Sequence, residues 1–143
     1  MRLTNYTSTT QAVSPTDGKI AIGFLDKQAK PERERTGVIA PDGGAPIKVF
    51  DFPEFFGTLS GGFYNQLIGW TVDGKALTYI DTKDGVSNIW AQPIDGGPKR
   101  QLTNFKADLI FNYAWSRDGK KLALARGSKT SDVVLIRDSG EQR

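Results

Sequence analysis

Neither cysteine nor histidine occurs among the 143 residues, and methionine occurs once. Without imidazole or thiolate, Ser-His-Asp and Cys-His nucleophile systems lose the group that moves the proton near neutral pH, and the usual zinc sites lose their ligands. Most hydrolase readings therefore fall for these residues, and no catalytic, cofactor-binding or metal-ligating residue is assigned. The lack of thiols leaves the compartment open, since such a chain is indifferent to redox conditions. Long apolar runs are missing too. Nothing approaches the ~18 residues of a membrane span, and the Thr-rich stretch from Met1 to Ala12 has no apolar core of a signal peptide. Neither a membrane segment nor an export signal is expected in this stretch. A one-sided charge field is also absent. Lys and Arg number 19 against 16 Asp and Glu, but in the densest stretch Lys27, Lys30, Arg33 and Arg35 are interleaved with Glu32 and Glu34. That field cancels within a Debye length, so no nucleic-acid partner is expected.

What the chain does have is repetition. Asp17-Gly18-Lys19, Asp73-Gly74-Lys75 and Asp118-Gly119-Lys120 are each followed by an apolar, strand-like run. Between them lie Asp42-Gly43-Gly44 and Asp95-Gly96-Gly97, each followed by Pro and a basic residue. The last two Asp-Gly-Lys phrases are about 45 residues apart, within the ~40–50 of a propeller blade, and the first two about 56 apart. The surplus is read as loop, partly in Leu25 to Arg35 and mostly in Glu54 to Gly62.

Each unit reads as a set of short strands joined by tight turns. Asn112 to Ser116 is a first strand, Asp118-Gly119 a two-residue turn suited to positive φ, and Lys121 to Arg126 the returning strand. Leu67 to Tyr79 repeats that hairpin. Third strands are expected at Thr36 to Ala40, Asn88 to Ile94 and Asp132 to Arg137, which are rich in β-branched and aromatic residues. Fourth strands are expected at Ile47 to Phe50 and Arg100 to Thr103, with a matching phrase at Arg2 to Asn5. No window has a helical period. The fold class is all-β, a partial β-propeller of about three four-stranded antiparallel blades. The expected boundaries are an outer strand of a preceding or closing blade at 1–13, blades at 14–53, 67–106 and 107–138, an insertion at 54–66 and a tail at 139–143.

Trp115-Ser116-Arg117-Asp118-Gly119-Lys120, Ile89-Trp90-Ala91-Gln92-Pro93-Ile94 and Gln101-Leu102-Thr103 together resemble the WD40-like repeat of TolB-type β-propellers. The first copy departs from the pattern, with Ser14-Pro15-Thr16 and no Trp. The wording is nearest to the propeller regions of bacterial membrane serine/threonine kinases and winged-helix regulators. The resemblance implies a binding or sensing scaffold in an extracytoplasmic or periplasmic setting. Three blades cannot close a ring that takes about four to eight. Either these residues end a longer propeller, or a second copy completes six blades as a homodimer, or the arc stays open, in that order of preference. The expected partners are accordingly a protein, missing blades or a second copy.

Individual residues carry competing readings. Trp70 and Trp115 hold the same repeat position and are read as packing between blades. The three turn aspartates are read as turn formers, not metal ligands. Asp81 to Gly85 lacks the later Glu of a calcium loop and reads as a hairpin turn. Asn5-Tyr6-Thr7 is a formal glycosylation sequon without further support. Phe52, Phe55, Phe56, Phe63 and Tyr64 are the one unexplained apolar group, either a loop tucked over a blade or a contact site for a partner. Three functions stay open: a non-catalytic scaffold, the sensor segment of a kinase or transcription regulator, and the accessory propeller of a prolyl-oligopeptidase-like hydrolase. No nucleophile elbow and no kinase motif is present in these residues.

Overall fold

Each Asp-Gly-Lys phrase folds as a tight turn for a local reason. Gly18, Gly74 and Gly119 take φ values of 71°, 66° and 70°, where a side chain would be strained. The Asp17, Asp73 and Asp118 carboxylates accept the backbone N–H groups of Lys19, Lys75 and Lys120 at 3.2, 3.1 and 3.1 Å. In the last two turns the Thr71 and Ser116 hydroxyls also donate to these carboxylates, both at 2.6 Å. These bonds favour the charged form, so Asp73 and Asp118 are held below the usual carboxylate range. Asp17 falls to about 2 through its contact with the Lys19 ammonium.

The computed structural model describes residues 8–52 and 68–128, and these hold ten strands and no helix. The first sheet runs in simple antiparallel order through β1 (Ser8–Val13), β2 (Ile20–Asp26), β3 (Arg33–Ala40) and β4 (Gly43–Phe50). The second repeats it with β5 (Gly69–Trp70), β6 (Ala76–Lys83), β7 (Val86–Pro93) and β8 (Arg100–Gln101). The third, among the described residues, is the hairpin of β9 (Leu109–Trp115) and β10 (Leu122–Gly127). The expected strands at Arg2 to Asn5 and Asp132 to Arg137 lie outside the described residues.

Several boundaries differ from the sequence reading. Leu25 to Arg35, read as loop, holds the paired ends of β2 and β3, with only residues 27–32 between them, while β4 opens at Gly43 instead of Ile47 and β9 at Leu109 instead of Asn112. The first sheet takes in Ser8–Val13, ahead of residue 14 where the first repeat was expected to open, because Val13 pairs with Ile20 and Ala12 with Ala21. The outer strand expected at Arg100 to Thr103 stops at Gln101. There the Thr103 hydroxyl, not a backbone carbonyl, accepts the Ile89 N–H at 2.9 Å. The same hydroxyl donates to Asn88 Oδ1 at 3.0 Å, and Asn88 Oδ1 also takes the Phe105 N–H at 2.7 Å.

The sheets stack face to face, with the second in the middle. Ala76 to Ile80 of β6 are buried without alternation, which marks a strand covered on both faces. One face of β6 carries Leu77 into a core with Ala21, Val38, Ile68 and Trp70. Its other face carries Ile80 into a core with Ile89 and Ile110, flanked by Tyr113, Leu122 and Leu124. On the far face of the first sheet, Ile22, Phe24 and Ile39 form a separate buried cluster.

Candidate functional site

Strand register makes the repeats comparable residue by residue. Val13 pairs with Ile20, Trp70 with Leu77 and Trp115 with Leu122; the adjacent pairs are Ala12–Ala21, Gly69–Thr78 and Ala114–Ala123. The period-2 alternation of strands sends these two sets to opposite faces of each sheet. One face is a knob, led by the tryptophan position. The other is a socket floored by small residues.

The first joint shows how they fit. Trp70 and Ile68 of the second sheet lie over Ala12, Ala21 and Val38 of the first, and the Trp70 indole N–H donates to the Ala12 carbonyl at 2.9 Å. Small side chains at positions 12 and 21 leave room for the indole, while the carbonyl satisfies its single donor. Phe52 closes the same joint. Its ring stacks on Tyr79 at 4.1 Å and on Phe50 at 5.8 Å between centroids. Tyr79 is fully enclosed, and burial pushes its phenol up to about 12.

The second joint uses the same faces with different chemistry. Tyr113, at the place Ile68 holds in the preceding repeat, donates its hydroxyl to the Thr78 carbonyl at 2.8 Å and shares a 2.9 Å hydrogen bond with the Thr78 hydroxyl. Gly69 admits it: a Cβ there would stand 3.2 Å from the phenol oxygen. Burial raises the Tyr113 phenol to about 12 against these bonds. The Trp115 indole N–H, equivalent to that of Trp70, is buried with no acceptor among the described residues.

The third sheet presents a socket that is open. Ala114, Ala123 and Ala125 are exposed, and Phe111 beside them is 37% exposed. At the other end the knob positions of the first sheet hold Gln11 and Val13, both exposed, Val13 to 63%.

A cleft of about 360 Å³ lies beside the β2–β3 loop, between Asp26, Lys30, Arg33 and Arg35. Its arginines are already neutralised. Arg35 bonds Asp51 at 2.8 Å and Asp26 at 3.2 Å, Arg33 bonds Asp51 at 3.3 Å, and the bond from Arg35 holds Asp26 below its ordinary range. The two arginines therefore have little charge left to offer an anion. Among the described residues no three His, Cys, Asp or Glu side chains are grouped to hold a metal ion.

Of the five aromatic residues singled out in the sequence, Phe52 is half-buried in the first joint, whereas Phe55, Phe56, Phe63 and Tyr64 lie outside the described residues. Sequence reasoning missed Tyr113 and the alanine sockets. The recoverable signal was the recurrence of Ala12 and Ala21 as Ala114 and Ala123, visible once the repeats are aligned by strand pairing instead of by their aspartates.

No protein-family model matches the chain. Over 59 residues, 41% of this chain, it is 30% identical to Tricorn protease homolog 1 of Streptomyces coelicolor. That match spans 6% of the length of the Streptomyces protein.

Proposed function

We propose that this chain is a non-catalytic segment of β-propeller type, a scaffold for protein–protein interaction or ligand sensing that works within a larger protein. The observation that carries this reading is the knob-and-socket joint used twice in succession, which makes the chain a stack of like units with binding surface at its faces and loops. The TolB-type wording of the turns supports the propeller form, and the short stretch matched in a much longer protein supports a part within a larger whole. The test is to incubate the purified chain with a fluorogenic peptide library and with protein substrates plus ATP. No turnover is expected, and saturable turnover would overturn the reading.

A second reading is favoured by one observation. The partial match is to a protein named as a protease homologue, which suits an accessory propeller that receives peptides for a peptidase centre elsewhere. It predicts that the chain alone binds fluorescent peptides, seen as raised anisotropy, without cleaving them. Unchanged anisotropy across the library would remove it.

A further inference from the structure

We propose that the rim of the first joint, where Lys48 of β4 and Lys99 flank Trp90 of β7, is a docking site for an acidic, extended segment of a partner protein. The inference rests on the interaction-scaffold reading above and adds the site and the chemistry of the partner. Strand register puts these side chains on facing surfaces. Trp90 is paired with Tyr79 and Gln101, and Tyr79 stacks on Phe52 in the joint, so all three paired side chains look toward the first sheet. Lys48 is paired with Val38, which lies in the core shared with Leu77 and Trp70, so Lys48 looks back at the second sheet. It reaches that sheet: a Cβ at Gly96, in the turn between β7 and β8, would stand 3.7 Å from the Lys48 ammonium. From the other wall the Lys99 ammonium sits over the Trp90 ring, 5.0 Å from its centroid.

The joint closes over Tyr79 and stays open at this rim. Tyr79 is fully enclosed, whereas Trp90 and Phe50 are half-buried and both lysines are exposed. Elsewhere Lys19, Arg33, Arg35 and Arg126 are each paired with an aspartate, but neither Lys48 nor Lys99 makes an ion pair among the described residues. The acid of the adjoining turn, Asp95, spends one carboxylate oxygen on the Gly97 N–H at 2.9 Å. A cation resting on an indole keeps its charge, so the rim offers two uncompensated ammonium groups at the edges of an aromatic surface. That arrangement selects the occupant. A nucleic acid calls for a row of cations where there are two, and a small free anion gains nothing from the rings. A segment that alternates acidic and apolar residues satisfies both features, with apolar side chains on Trp90 and Phe50 and carboxylates at the two lysines.

The test titrates the full chain, labelled at its indole nitrogens, with a short acetylated and amidated peptide that alternates Glu and Leu. The chain has three tryptophans, so its indole N–H resonances give one reporter and two controls. The Trp90 resonance should shift and saturate, while those of Trp70 and Trp115, inside the joints, stay in place. Affinity should fall about 10-fold when Lys48→Glu and Lys99→Glu are combined, exposed changes that leave the control resonances unmoved, and it should weaken with added salt. The same peptide with Gln in place of Glu should bind at least about 10-fold more weakly. An unmoved Trp90 resonance, equal affinity for the Gln peptide, or unchanged affinity in the double variant would overturn the site. Tighter binding of an oligogalacturonate of equal charge would assign the rim to an anionic polysaccharide and equally overturn it. Turnover of peptide or protein substrates would remove the scaffold reading itself, whereas a silent rim without turnover leaves that reading standing.

Discussion

Replacing Tyr113 by Phe removes one oxygen and tests the second joint directly. The hydroxyl makes two hydrogen bonds to Thr78, a residue with no exposed surface, so neither partner can turn to water when the phenol is gone. At about 0.5–1.5 kcal/mol for each bond, and more where a buried partner is left unsatisfied, the loss should be about 2–3 kcal/mol. In urea, with a slope of roughly 2 kcal/mol per molar for a chain of this size, the midpoint should drop by about 1 M. The pH dependence supplies a second readout. Tyr113 has its phenol raised from 10.0 to about 12, so the folded chain keeps a proton that the unfolded chain releases. Its contribution is complete below pH 10 and is lost as pH rises to 12, on the order of 2–3 kcal/mol at 1.36 kcal/mol per unit. Tyr79 behaves alike and remains in the variant, so Tyr113→Phe should lose stability over that window about half as steeply as the parent. Urea unfolding followed by tryptophan fluorescence at pH 7, 10 and 11 decides it. A drop below about 0.5 kcal/mol at pH 7, the level of a neutral surface change, or an unchanged alkaline slope would refute the bridging role.

At the acid end, Asp17, Asp26, Asp73 and Asp118 are all held below their ordinary range, so the unfolded chain takes up protons first as pH falls through about 4. Stability should be full above that pH and decline below it, and Asp118→Asn should flatten the decline in a urea series from pH 5 to 2.5. Gly74→Ala and Gly85→Ala separate strain from contact. Both residues have positive φ, at 66° and 77°, but a Cβ at position 85 meets open space while one at 74 runs into the Thr16 and Ser14 hydroxyls of the preceding repeat. Each should cost about 1–2 kcal/mol for the backbone alone, and Gly74→Ala at least about 1 kcal/mol more by urea midpoint.

The turns were legible in the sequence because their chemistry is local: an Asp whose carboxylate reaches two residues on, then a Gly at positive φ, does not depend on the rest of the fold. The first strand, Ser8–Val13, was hard to read because its letters, Ser-Thr-Thr-Gln-Ala-Val, carry little apolar signal. Its Ala12 gains value only from an indole 58 residues away. The outer strand was read too long because Thr103 has good strand propensity, yet its hydroxyl finds a better partner in Asn88. Phe52 looked like unexplained apolar surface in one dimension. In three it fills the joint beside Tyr79, a partner that only the stacking of two sheets supplies. Sockets are the least legible feature, since a small residue is informative by the space it leaves and not by any group it carries.

The two equivalent tryptophans make that last point measurable. Replacing either by Phe removes the same atoms from the same position of a repeat, so the apolar cost should be similar in the two joints. The polar terms should have opposite signs. Trp70→Phe breaks the 2.9 Å bond to Ala12 and strands a carbonyl beneath the second sheet, whereas Trp115→Phe removes a buried donor that has no acceptor among the described residues. The first change should therefore be more destabilising than the second by about 1–3 kcal/mol in urea unfolding of each variant. Equal losses would mean that the indole N–H does not anchor the first joint.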